Sequence, residues 1–213
     1  MARIVFDLDG TLIDSAQDIT SAANATLAEV DADPLSLAEA RSFVGSGAVV
    51  FVERMARARD LADPEPLLPR FVHHYEHAVH DTVIYPGVEA ALAALKAHGH
   101  RLGLCTNKPG SPTRAVLAHL GWERLFEVVF TGDSLPQRKP DPAPLLAAFD
   151  ALGDGPAIYV GDSEVDAETA ERADVPFVLY TPGYRTAPLD DLVHAAAFDD
   201  WARVPWIVAD LTG

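Results

Sequence analysis

Short apolar runs separated by helical stretches constrain this chain more tightly than any other feature. Ile4-Val5-Phe6, Leu102-Gly103-Leu104-Cys105, Val128-Val129-Phe130, Ile158-Tyr159-Val160 and Phe177-Val178-Leu179-Tyr180 have the length and the β-branched or aromatic content of buried strands. Between most of them the apolar spacing turns helical. Val88, Leu92 and Leu95 share a face, as do Leu145, Leu146, Phe149 and Leu152, and Pro86 fits a first helical turn. Strand alternating with helix predicts an α/β fold, a parallel sheet covered on both sides.

The first interval breaks this rhythm. Between Leu12 and Val83 no strand signal occurs, and four helical stretches are expected instead. One opens on a capping-box pattern at Ser15-Ala16-Gln17-Asp18 and another at Ser36-Leu37-Ala38-Glu39. A third follows Gly47, and a fourth runs from about Pro66 to Val79, after the break at Asp63-Pro64-Glu65-Pro66. The expected organisation is a discontinuous core, residues 1–13 and 82–213, with a four-helix domain inserted at 14–81. Hinges are expected near Asp14 and near Asp81-Thr82.

In open α/β sheets ligands sit beyond the carboxyl ends of the strands, so the residues after each apolar run carry the functional signal. Asp7-Leu8-Asp9-Gly10-Thr11 follows the first run and Thr106-Asn107-Lys108 the second. Lys139-Pro140-Asp141-Pro142 precedes a long helix, and Gly161-Asp162-Ser163-Glu164-Val165-Asp166 follows the fourth run. Asp7, Asp9 and Asp162 can converge on a hard cation such as Mg²⁺. A carboxylate can also attack phosphorus to form an aspartyl-phosphate. Thr106 and Asn107 can donate to phosphoryl oxygens, and Lys139 can bring a point charge to them. Ser163 to Asp166 is itself a capping box, so Asp162 is favoured as metal ligand and Asp166 as structural. Gly45-Ser46-Gly47 either turns backbone N–H groups toward an anion or merely ends one helix and begins the next.

Charge narrows the partners. Sixteen Lys plus Arg stand against 32 Asp plus Glu, a formal charge of −16, which argues against nucleic acid and anionic membranes. An anionic substrate then needs a local inversion of the field by a metal or by placed cations, and the only lysines are Lys96, Lys108 and Lys139. The N-terminus has no leader pattern and no run approaches the ~18 apolar residues of a membrane span, so a cytoplasmic address is expected. The single cysteine, Cys105, is read as a small core residue. His73, His77 and His80 have the spacing of a helical stripe, but no protease-type metal motif accompanies them.

Taken together, these motifs resemble those of haloacid dehalogenase (HAD) superfamily phosphatases. Asp-Leu-Asp-Gly-Thr-Leu at 7–12 is similar to the first motif. Thr106, Lys139 with Pro140, and Gly161-Asp162 with Asp166 are similar to the second, third and fourth. The likeness runs from residue 2 to about 185, and the insert resembles the superfamily's C1-type cap. It implies a Rossmann-like core, with Asp7 as nucleophile and Asp9 as general acid, then base. Mg²⁺ would be held by Asp7, the Asp9 main-chain carbonyl and Asp162, and the phosphoryl group by Thr106, Asn107 and Lys139. Dehalogenases of the superfamily lack the second aspartate. Its phosphonoacetaldehyde hydrolases and phosphomutases need a cap lysine that this insert does not have.

Phe43-Val44-Gly45-Ser46-Gly47-Ala48, the stretch from Gly132 to Pro142, and Gly183-Tyr184-Arg185 resemble the phosphoglycolate phosphatase group. That likeness implies 2-phosphoglycolate as substrate, with Gly45, Ser46 and Gly47 near its carboxylate and Arg54 as a possible assistant. Competing expectations are a phosphatase of broader range (sugar phosphates, nucleotides, pyrophosphate) and a non-catalytic phosphoester-binding regulator. The expected partner is a small phosphoester, and the expected state a monomer or dimer.

Overall fold

The computed structural model describes all residues, Met1–Gly213. In chain order the elements are β1 (Arg3–Phe6), β2 (Ile13–Asp14), α1 (Ala16–Ala28), α2 (Leu37–Phe43), α3 (Ala48–Ala58), α4 (Leu67–His77), β3 (Val83–Ile84), α5 (Val88–Ala97) and β4 (Arg101–Cys105). Then come α6 (Gly110–His119), β5 (Val128–Phe130), α7 (Ala143–Ala151), β6 (Ala157–Gly161), α8 (Glu164–Ala173), β7 (Phe177–Tyr180), β8 (Ala196–Phe198) and α9 (Val204–Thr212). Six strands form one parallel sheet in the order β5-β4-β1-β6-β7-β8. No helix is long and apolar enough to cross a membrane.

The period of two in each strand divides the core. Ile4 and Phe6 of β1 face a cluster with Leu102, Leu104, Ile158, Val160 and Trp201. Val5 points the other way, with Tyr159, Phe177, Leu145 and Phe149. Both faces are covered, which explains why the strands read as continuous apolar runs. Leu145, Phe149 and Leu152 are buried on one stripe of α7, whereas Leu146 is exposed, against the expected grouping. One residue along a helix is a turn of about 100°, which takes Leu146 off that stripe. Pro86 lies in a turn just before α5, whose N-cap is Gly87, rather than inside the helix.

The helices between Leu12 and Val83 have a hydrophobic cluster of their own, drawn from Ile19 to Tyr75, with Phe51 stacked on Phe71. The chain leaves and re-enters the core through two adjacent crossings. Here β2 pairs antiparallel with β3, Asp14 opposite Val83. β2 was not expected, because two residues carry no readable period and only the returning chain makes them a strand. The capping box expected at Ser15 does not form either. Asp18 instead reaches across the crossings to Thr82 Oγ1 (2.6 Å) and the Asp81 N–H (3.2 Å). The boxes at Ser36 and Ser163 do form.

Candidate active site

Strand order alone places the site. β1 lies between β4 and β6, and its Phe6 is level with Leu104 and Val160. The residues just past these strands are therefore neighbours: Asp7, Thr106 and Asp162, all buried. This is the topological switch point of the sheet, where the connections from β1 diverge.

A buried network fixes the centre. Lys139 Nζ lies 2.9 Å from Asp7 Oδ1, 2.7 Å from Asp166 Oδ1 and 2.8 Å from the Tyr159 hydroxyl. Asp166 Oδ2 accepts from the N–H groups of Asp162 (3.2 Å) and Ser163 (3.1 Å) and from Ser163 Oγ (2.6 Å). Asp166 thus has partners on both oxygens, anchoring Lys139 and capping α8. Burial acts against the Lys139 ammonium, but Asp166 and Asp7 outweigh it and hold its pKa above the ordinary lysine value. Asp162 accepts from Thr11 Oγ1 (2.6 Å) and from the Tyr184 N–H (2.5 Å). Gly10, at φ +85°, passes so close to Asp162 Oδ2 that a Cβ would sit 2.5 Å from it, so this turn requires glycine.

The same burial sets the charge balance. It pushes the Asp7 carboxyl up to about 7, against the pull of Lys139, from an ordinary 3.8. Burial, then the charges of Asp166 and Asp7, hold Asp162 well above the ordinary range. Asp7, Asp162 and Asp166 each present an oxygen within 4.8 Å of the others. Asp7 Oδ1 is sealed from water and has the ion pair to Lys139 but no hydrogen bond. Closely spaced buried carboxylates fit a hard divalent cation, and Mg²⁺ suits an all-oxygen donor set.

A stability signature follows. Between pH 4 and 7 folded, metal-free protein retains a proton on Asp7 that the unfolded chain has released, so stability falls as pH rises through this window. In EDTA the urea midpoint is expected to decline from about pH 4 to 7, and millimolar Mg²⁺ to flatten the decline. A metal-free midpoint that climbs over the same range would contradict the buried, strained carboxylates.

Asp9 is held elsewhere. Its carboxylate is 3.0 and 3.3 Å from Lys108 Nζ, accepts from Ser15 Oγ at 2.5 Å, and lies 3.4 Å from the Tyr75 hydroxyl of α4. Lys108 is buried, in contact with the Tyr75 hydroxyl and 3.8 Å from the centre of its ring. Burial pushes the Lys108 pKa down, partly offset by Asp9. Neither Lys108 nor Tyr75 had been assigned a role. Lys108 had a signal, as one of three lysines and placed directly after Thr106-Asn107. Tyr75 had none, because its apolar neighbours mark it only as core.

A small cavity lies between the helical insert and the sheet, lined by Asp7, Asp9, Thr106, Asn107, Lys108 and Tyr75 among others. Gly45 and Gly47 reach its wall, and so does Ala48 at the start of α3. Ser46 does not: its Oγ is 3.4 Å from Arg54 Nη2, while Arg54 Nη1 donates to the Phe43 carbonyl. Arg54 therefore shapes the loop from behind. Asn107 also differs from expectation. Its side-chain amide donates to the carbonyls of Gly45 (3.1 Å) and Lys139 (2.9 Å), tying insert to core and leaving no side-chain N–H for a phosphoryl oxygen. The amide has only two hydrogens, and both are taken.

The remaining candidates stay apart from the site. Cys105 is buried in the core, and burial pushes its thiol up to about 12. His73, Glu76 and His77 cluster on the outer side of α4, while His80 packs against His119 at 5.3 Å.

Residues 4–180 match the family described as haloacid dehalogenase-like hydrolase. A phosphoglycolate phosphatase of Cereibacter sphaeroides is 48% identical over 210 residues, covering 96% of each chain. One from Rhodobacter capsulatus is 45% identical, covering 98% of this chain and 97% of its own. The crystal structure of a predicted phosphoglycolate phosphatase from Haemophilus somnus superposes with a TM-score of 0.89, at 31% identity and 96% coverage of both chains.

Proposed function

Because this chain belongs to the haloacid dehalogenase-like hydrolase family, we propose that it hydrolyses 2-phosphoglycolate to glycolate and phosphate through an aspartyl-phosphate on Asp7. The observation that carries the chemistry is the meeting of Asp7, Lys139 and Asp162 beyond the ends of adjacent strands, with Asp9 two residues on. The near full-length relatives at 45–48% identity support the substrate.

In the first step an Asp7 oxygen bonds to phosphorus as the ester P–O bond breaks, and Asp9 gives its proton to the leaving glycolate oxygen. In the second, water bonds to phosphorus as the Asp7–phosphorus bond breaks, and Asp9 takes the water's proton. Both residues are thereby restored. Lys139, anchored by Asp166 and Tyr159, offsets charge on the transferring oxygens, and the Thr106 hydroxyl and backbone N–H groups of its loop donate to them. Asp7, Asp162 and the main-chain carbonyl of Asp9 would hold Mg²⁺. When bound, the ion supplies positive charge against the phosphoryl oxygens. The helical insert, tied to the core by Asn107, keeps bulk water from the intermediate. The reading is of a cytoplasmic small-molecule enzyme that needs neither nucleic acid nor membrane.

The test is a panel of small phosphoesters assayed with purified protein and Mg²⁺. The highest kcat/KM is expected for 2-phosphoglycolate, with activity lost in EDTA and regained on adding Mg²⁺. A flat profile across sugar phosphates and nucleotides would replace the narrow substrate with a broad one. Full activity in EDTA would remove the metal.

A further inference from the structure

We propose that Lys108 is the receptor for the carboxylate of the substrate, and that on binding it exchanges Asp9 for that carboxylate and releases Asp9 toward the leaving-group oxygen. This rests on the phosphoglycolate reading and says how the same site recognises it.

The lining of the cavity points to Lys108. It is the only cationic side chain lining the cavity. Arg41 is engaged with the Gly183 carbonyl and stacked on Tyr184. Arg54 holds the Phe43 carbonyl from behind the wall. Lys96 donates to the Leu125 carbonyl at the surface, and Lys139 is committed to Asp7 and Asp166. The short two-carbon substrate demands a receptor close to the reacting carboxylates. Lys108 Nζ lies 3.0 Å from Asp9 Oδ1 and is buried. In a chain of charge −16, one desolvated ammonium is a strong discriminator between an acid and a neutral group of the same shape.

Position argues for the exchange. Asp9 is held as a carboxylate by Lys108, Ser15 and Tyr75, so it must loosen from these partners and take up a proton from solvent as the substrate enters before it can serve a leaving oxygen. An incoming carboxylate is chemically the same acceptor as the one Lys108 already binds. Replacing one by the other leaves the buried ammonium paired throughout. Tyr75, contributed by α4, touches both Lys108 and Asp9, so the exchange is made only when the helical insert is in place.

The experiment compares kcat/KM for 2-phosphoglycolate with that for ethyl phosphate, which has a methyl where the substrate has a carboxylate. Wild type, Lys108→Met and Lys108→Arg are measured with Mg²⁺. Both substrates report on the same folded molecules, so their ratio is independent of the folded fraction. Wild type is expected to prefer 2-phosphoglycolate, Lys108→Met to lower the ratio at least ~100-fold, mainly through KM, and Lys108→Arg to keep most of it. A wild-type ratio near one sinks the phosphoglycolate reading and this inference with it. A strong wild-type preference that survives in Lys108→Met overturns the inference alone. Loss of turnover on both substrates in Met and Arg variants alike also overturns it, by making Lys108 part of the acid–base step.

Discussion

Asp7→Asn is expected to abolish turnover while leaving the metal-free protein as stable as its parent, or more so. The amide is nearly isosteric but has no anionic oxygen to attack phosphorus. Loss of a covalent nucleophile in enzymes of this kind lowers kcat by at least ~10⁴-fold. The stability change has the opposite sign. Burial holds the Asp7 carboxyl up to about 7, so at pH 8 the folded protein carries a charge that its surroundings disfavour. Asn removes that charge, and Lys139 keeps Asp166 and Tyr159 as partners. Steady-state kinetics and urea unfolding in EDTA at pH 8 check the two halves separately. Surviving turnover removes Asp7 as nucleophile. A large drop in stability shows instead that Asp7 holds the fold together.

Lys139→Met is expected to lose both activity and stability. Lys139 is the shared cation of Asp7 and Asp166, each nearly sealed from water. Removing one member of a buried charged set leaves the others uncompensated, at a cost of about 3–5 kcal/mol. Adding Asp166→Asn should recover part of that stability, because Asn can still accept from Ser163 and the backbone while carrying no charge. It should recover no activity, since the charge proposed to meet the phosphoryl group is still absent. Urea unfolding of the single and double variants tests this. A Lys139→Met protein as stable as wild type would mean that the carboxylates find compensation elsewhere.

The elements that could be read from the sequence share a physical property: their signal is local. Five sheet strands were legible because each is apolar throughout: β1, β4, β6 and β7 are buried on both faces, and the edge strand β5 is only half-buried, with Val129 exposed. The helices of the insert were legible from apolar spacing and, at Ser36, from a capping box that closes within four residues. β8 was not, because Ala196-Ala197-Phe198 is too short for a period and becomes a strand only beside β7. Ser15 misled for a related reason. Its pattern is that of a cap, but partners from elsewhere in the chain take both ends of the box: Ser15 donates to Asp9, and Asp18 accepts from Thr82 and Asp81.

The sequence by itself determined the alternation of strand and helix, the helical insert after β1, and which residues stand at strand ends. Asp7, Thr106 and Asp162 were therefore candidates before any coordinates, and Lys139 was one from its place ahead of α7. Only the tertiary structure decided how polar side chains divide among partners. It gave both hydrogens of the Asn107 amide to backbone carbonyls, turned Ser46 toward Arg54, and brought Lys108 to Asp9 under Tyr75. Tyr75 and Asp9 are far apart in the chain, and no local pattern encodes their meeting. A hydrogen bond is allocated by whichever partner folding brings within about 3 Å, and that distance is set by the packing of the insert on the sheet.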